Sequence, residues 1–211
     1  MFNLLRKDYY IAKKMWIAIM IMAVVIPIFI SFIGSDLIVP SSVVLPIITI
    51  LLSQMLLNAI VDEEEKYPKA KALITSMGYS RNQQVIKSFI LMIVIFVYCT
   101  IIYSIEAVII KNIEVLSFAD VAISALIFVF VTSLHLTMVI KYGNRAGKYI
   151  SMMIILIISL GPSIFSKFKI DINLSLHLSD TQTIIMSLIG VAIVYIVSIR
   201  TSMIAYSNKE L

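Results

Sequence analysis

Six long apolar runs, separated by short polar breaks, leave this chain few folds to choose from. The runs cover residues 15–33, 37–61, 85–110, 118–140, 149–165 and 180–199. Each approaches or exceeds the roughly 20 residues that a helix needs to cross hydrocarbon. Of the 211 residues, 61% are hydrophobic. A soluble domain carries about 45–50%, and a core of this size could not bury the excess. The bilayer is therefore the expected solvent. Charged residues make up only 14% of the chain and cluster in the breaks, as they must if they are to stay out of hydrocarbon. The expectation is an all-α membrane protein: one transmembrane domain over 1–211 with six transmembrane helices.

The first run follows a basic stretch but has no small-residue cleavage site, so it reads as a retained helix rather than a signal peptide. Ahead of it, Phe2, Leu5, Tyr9, Ala12 and Trp16 recur at steps of three and four. They would share one helical face. Asn3, Lys7 and Lys14 fall opposite, and Arg6 and Lys13 flank, where their stems can snorkel. Residues 1–14 are expected to form an interfacial helix along the membrane surface.

Basic residues set the orientation. With both termini cytoplasmic, the inner side carries Arg6, Lys7, Lys13, Lys14, Lys66, Lys69, Lys71, Arg81, Lys87, Lys141, Arg145, Lys148, Arg200 and Lys209. The outer side carries only Lys111, Lys167 and Lys169. That asymmetry is the positive-inside pattern of a multi-pass protein of a bacterial cell membrane. For the same reason the net charge of +5 marks an orientation and not a nucleic-acid partner.

Several residues interrupt the apolar runs. Pro27 is expected to kink the first span. Gln54 and Asn58 lie four residues apart on the second, close to Ser53. They could line a translocation path or form interhelical hydrogen bonds. Glu106, near the end of the third span, is the most membrane-embedded acid. It is either a transport group or an interfacial one. His135 has no second metal ligand at a useful spacing, and the lone Cys99 excludes a disulfide framework. Residues 143–148 read GNRAGK, which resembles a phosphate loop. The required GxxxxGK[ST] between a strand and a helix is absent. No metal site, Walker A, HExxH or GxSxG is present, so the chain is not expected to be an enzyme. It has no visible chemical fuel of its own.

The longest polar segment, residues 62–88, then becomes informative. It opens with Asp62, Glu63, Glu64 and Glu65. It continues as Leu73-Ile74-Thr75-Ser76-Met77-Gly78-Tyr79-Ser80-Arg81, with Val85 and Ile86 beyond. This resembles the L-x-x-S-L-P-V-S-R-x-x-I-V pattern of ABC-2-type (type V) exporter permeases. Gly78 stands where that pattern has Pro, Gln84 where it has an apolar residue, and Lys87 comes one position early. In size and layout the chain is similar to the small permeases of phenol-soluble-modulin peptide exporters. The resemblance implies that residues 62–84 form a cytoplasmic coupling loop whose helix docks in a groove of a separate ATPase. The contact residues would be Glu63, Glu64, Glu65, Lys69, Leu73, Ile74, Met77, Tyr79 and Arg81, with Arg145 from the smaller loop. It also implies a cytosolic ABC ATPase dimer and a second permease, identical or paralogous. ATP and Mg would sit on the ATPase, with no cofactor on this chain. The substrate would be amphipathic, toxic peptides included, and would pass between the permeases beside Ser53, Gln54, Asn58 and Glu106. The competing readings are a secondary transporter driven by an ion gradient through Glu106 and a non-transport immunity or sensor subunit.

Overall fold

The computed structural model describes residues 2–33, 41–66, 80–110, 113–168 and 179–207. Within them the chain is all-helical: α1 (Phe2–Ile11), α2 (Lys13–Ile33), α3 (Ser41–Lys66), α4 (Arg81–Ile109), α5 (Phe118–Tyr142), α6 (Asn144–Phe168) and α7 (Asp180–Ser207). Five of these, α2, α3, α4, α5 and α7, are long and apolar enough to cross a membrane. The helix α6 covers the expected fifth span but is not among those five on its described residues.

Local chemistry fixes three of the helix starts. Ser80, Ser117 and Ser179 each accept from the backbone N–H three residues on, and the side chain there (Gln83, Asp120 or Gln182) accepts from the serine N–H in return. These are capping boxes, which satisfy two orphan donors each. The first of them begins α4 at Arg81, four residues before the expected span. α3 likewise runs past the expected end at 61, through all four acids to Lys66. The break between the expected fourth and fifth spans, residues 141–148, shrinks to a single non-helical residue. Gly143 caps α5 with φ +88°, and α6 starts at Asn144. A left-handed φ of this kind is readily adopted only by glycine.

α3 is the central helix. It packs on α2, α4, α5 and α6, and Leu45, Ile48, Leu52 and Leu56 are fully buried along it. Pro46 removes one backbone donor from its first turns, which frees the carbonyl of Ser42. The Ser124 hydroxyl of α5 donates to that carbonyl at 3.3 Å. The α2 helix continues through Pro27.

The most extensive contact is between α5 and α7. Small residues allow it, because they let helix backbones approach without a hydrophobic driving force. Thr137 Oγ1 lies 3.2 Å from Ser198 Oγ and 3.0 Å from Ser202 Oγ. Ser198 donates to the carbonyl of Ser133. The outer faces are apolar and exposed, as on α7 at Ile185, Leu188, Ile189, Ile193 and Ile196, which suits contact with lipid chains.

The packed face of α1 differs from the expected stripe. Leu4, Asp8 and Ala12 are buried, at 2–3% exposure, while Tyr9 and Tyr10 remain exposed. The reason is a partner that local periodicity cannot reveal: Asp8 faces Lys87 of α4.

Candidate functional site

The charged end of the bundle is built by four helices. Lys87 on α4 is 6% exposed and lies 2.9 Å from Asp8 Oδ2 and 3.1 Å from Glu64 Oε1. Lys7 approaches the same Glu64 oxygen at 2.7 Å and Asp8 at 3.4 Å. Two carboxylates and two ammonium groups thus form one compact neutral cluster that ties α1, α3 and α4 together. Burial makes each charge costly alone, and the mutual pairing offsets that cost. Beside it, α6 is tied to α3. Asn144 donates to Asp62 Oδ1 and to Glu65 Oε2, and Lys148 lies 2.7 Å from Asp62. Tyr206 of α7 donates to Gln84 Oε1 at 2.9 Å. Residues 8 and 206 therefore sit at the same end of the bundle.

Under these bonds lies a cavity of about 440 Å³. Its mouth carries Asp8, Glu64, Glu65, Lys87 and Asn144, and its interior is lined by Leu57, Ile60, Leu91, Leu136 and Val139. It is within the usual size range of small-molecule sites and shares their pattern of apolar walls with a few polar groups.

Deeper in the bundle a polar chain crosses three helices. Asn58 of α3 donates to Ser151 Oγ of α6, and that oxygen lies 2.9 Å from His135 Nε2 of α5. Gly147 makes this approach possible. A Cβ there would lie 2.3 Å from Val139 Cγ2 and 3.7 Å from His135 Nε2. One turn from Asn58, Gln54 is buried with neither amide atom partnered among the described residues. Ser53 is spent on its own helix, donating to Ile50 O. Glu106 is buried, and both its oxygens lack a hydrogen-bond partner among the described residues. It stands 19 residues beyond Lys87 on α4, about 28 Å along the axis. Gln54 and Asn58 thus share one face of α3, while Glu106 belongs to the opposite end. There Glu114 accepts from the Ser41 N–H at 3.2 Å.

The residues expected to meet an ATPase are distributed unevenly. Lys69, Leu73, Ile74, Met77 and Tyr79 lie outside the described residues, as does the side chain of Arg81. Glu63 pairs with Lys66 one turn on. Glu64 faces inward to Lys87 and Lys7. Glu65 is exposed at the cavity mouth, and Arg145 is exposed on the first turn of α6. Lys7, Asp8, Asp62, Lys87, Asn144, Lys148 and Ser151 are site residues that sequence reasoning did not assign to a site. A faint signal existed for Asp8, which is spaced four residues from both Leu4 and Ala12.

Apolar helices of spanning length, held by interhelical polar bonds, define an integral membrane protein. The sequence matches the family described as ABC-2 family transporter protein across residues 3–207. The chain belongs to that family, whose members are membrane transport domains that generally work with an ATPase subunit. No curated protein and no solved structure matches it.

Proposed function

We propose that this chain is the membrane-spanning permease of an ATP-driven exporter. It would pair with a separate cytosolic ATPase dimer and with a second permease, identical or paralogous. The charged end of the bundle is the cytoplasmic end, and residues 62–84 with the corner at Gly143 receive the ATPase. The family match over residues 3–207 carries this reading. Charge and geometry support it. Fourteen of seventeen basic residues fall on that side under the assigned topology. The segment between α3 and α4 is flanked by Glu64 and Lys87, which are bonded to each other and to α1. A push on that segment by closing ATPases would reach several helices at once, as in other domain-closure transitions. The substrate is amphipathic, with toxic peptides among the candidates, and passes between the two permeases.

The test is co-purification with a candidate ATPase. Deleting residues 69–77, or changing Glu63 and Glu65 to Lys, is expected to weaken the complex and its ATP turnover. If both are indifferent to the deletion, the coupling reading fails. Glu106, which has no hydrogen-bond partner among the described residues, favours one second reading, transport driven by an ion gradient. Under that reading Glu106→Gln abolishes transport while ATPase stimulation persists. Under the exporter reading any transport by Glu106→Gln still follows ATP hydrolysis and needs no ion gradient.

A further inference from the structure

The cavity at the charged end has a chemistry of its own. The amide of Asn144 is 4% exposed, and its orientation is fixed. Its Nδ2 donates to two carboxylates, so its other atom must be the acceptor Oδ1. That oxygen is buried without a partner among the described residues, and Asn144 lines the cavity. A buried acceptor left bare costs about 1–3 kcal/mol, so the site calls for a donor.

Charge points the same way. Among the described residues, the five carboxylates of Asp8, Asp62, Glu63, Glu64 and Glu65 meet four ammonium groups, those of Lys7, Lys66, Lys87 and Lys148. The Asp8, Glu64, Lys7 and Lys87 group is neutral in itself. Lys148 matches Asp62 and Lys66 matches Glu63, so the surplus negative charge among the described residues resides at Glu65, beside Asn144. Among the described residues Glu65 accepts only from the neutral Asn144 amide. Nearby, Gln84 Nε2 is a buried donor without a partner, its Oε1 being taken by Tyr206. Below the polar mouth, Leu57, Ile60, Leu91, Leu136 and Val139 form an apolar floor.

We infer that this cavity binds an amphiphile with a primary ammonium head. The ammonium donates to Asn144 Oδ1 and Glu65. Gln84 donates to an oxygen beside it, and the apolar body lies on the leucine and valine floor. Anionic amphiphiles are disfavoured by the surplus carboxylate. As the point where an export substrate enters, the site rests on the permease reading. As a binding site it does not.

The test uses the full chain in nanodiscs of phosphatidylcholine and phosphatidylglycerol, which supply no primary amine. The probe is a twelve-carbon alkylamine carrying a diazirine on its tail, with the matching alkyl sulfate as comparison. Light-induced labels are mapped by mass spectrometry. The amine is expected to label residues 57–60, 91 and 136–139 and the sulfate to leave them unlabelled. Glu65→Gln is expected to lower amine labelling roughly tenfold, the scale of losing one charge-assisted hydrogen bond. Asn144→Leu should lower it at least as far. Because Asn144→Leu also removes two internal bonds, its helicity and thermal unfolding are checked, and Glu65→Gln, at an exposed position, stands alone if it fails. Asp180→Asn, on the first turn of α7 and outside the cavity, should leave the labelling unchanged. Competition by added phosphatidylethanolamine assigns the cavity to a lipid headgroup. Competition by an apolar peptide with a free but not an acetylated N-terminus assigns it to a soluble amphiphile. Either sustains the inference. Equal labelling by the sulfate, labels confined elsewhere, or full labelling of Glu65→Gln overturns it. An ATPase complex that forms without cavity labelling sinks only the cavity, and labelling without such a complex sinks only the permease reading.

Discussion

Changing Lys87 to Met is the sharpest probe of how the charged end is held. Lys87 lies 2.9 Å from Asp8 and 3.1 Å from Glu64. At an effective dielectric constant of about 20, each contact is worth about 5 kcal/mol in gross Coulomb energy. Desolvation of the three groups cancels much of that, so the gross figure is not the mutational cost. What decides the cost is what the change leaves behind. Asp8, at 2% exposure, would keep only Lys7 at 3.4 Å, and Lys7 already serves Glu64. Breaking a buried pair from one side costs about 3–5 kcal/mol, and partial help from Lys7 places Lys87→Met near 3. The double change Asp8→Leu with Lys87→Met leaves the Glu64–Lys7 pair intact. It is expected within about 1 kcal/mol of the parent, since replacing a buried pair by apolar groups is often near neutral. The assay is denaturant unfolding in mixed micelles followed by circular dichroism, run as a double-mutant cycle. If the two single changes simply add in the double, or if Lys87→Met costs under about 1 kcal/mol, the cluster does not hold the helices as described.

Other perturbations follow from the same structure. Ser151→Ala should cost about 1–3 kcal/mol in the same unfolding assay, because it strips Asn58 and His135 of a shared partner inside the bundle. Gly147→Ala should cost about 1–3 kcal/mol by pressing on Val139, and Val139→Ala added to it should recover part of that loss. Gly143→Ala should cost about 1–2 kcal/mol, since φ +88° is strained for any residue with a Cβ. Thr137→Val should cost only about 0.6 kcal/mol, the usual scale of a hydrogen bond between membrane helices.

Hydropathy located the helices well because bilayer burial is a property of each run by itself. It misplaced their ends for an equally physical reason. Glu63, Glu64 and Glu65 are poor residues for hydrocarbon yet good helix formers, so α3 continues where the apolar run stops. Local polar chemistry set the other boundaries, and the pairs Ser80–Gln83, Ser117–Asp120 and Ser179–Gln182 were readable as capping boxes. The ion cluster was not readable in this way. Asp8 and Lys87 are 79 residues apart, and nothing local to either specifies the other. The same holds for Asn144, Ser151 and Asn58, whose roles appear only when three helices are packed. The expected strip of Gln54 and Asn58 does share a face of α3, but Glu106 belongs to the other end.

The length of α3 has a consequence for the membrane around the protein. Its 26 residues make a rod of about 39 Å, of which residues 43–61 carry no charge over about 28 Å, close to an average hydrocarbon thickness. The rod is bonded at one end through Ser41 to Glu114 and at the other through Asp62 and Glu64 to α6, α4 and α1. A free helix adjusts to a thicker or thinner bilayer by tilting. This one can tilt only by breaking bonds at an end, so mismatch falls on the lipid instead. The protein should thin or thicken the bilayer about itself, and its abundance should favour membranes whose thickness its central helix already matches.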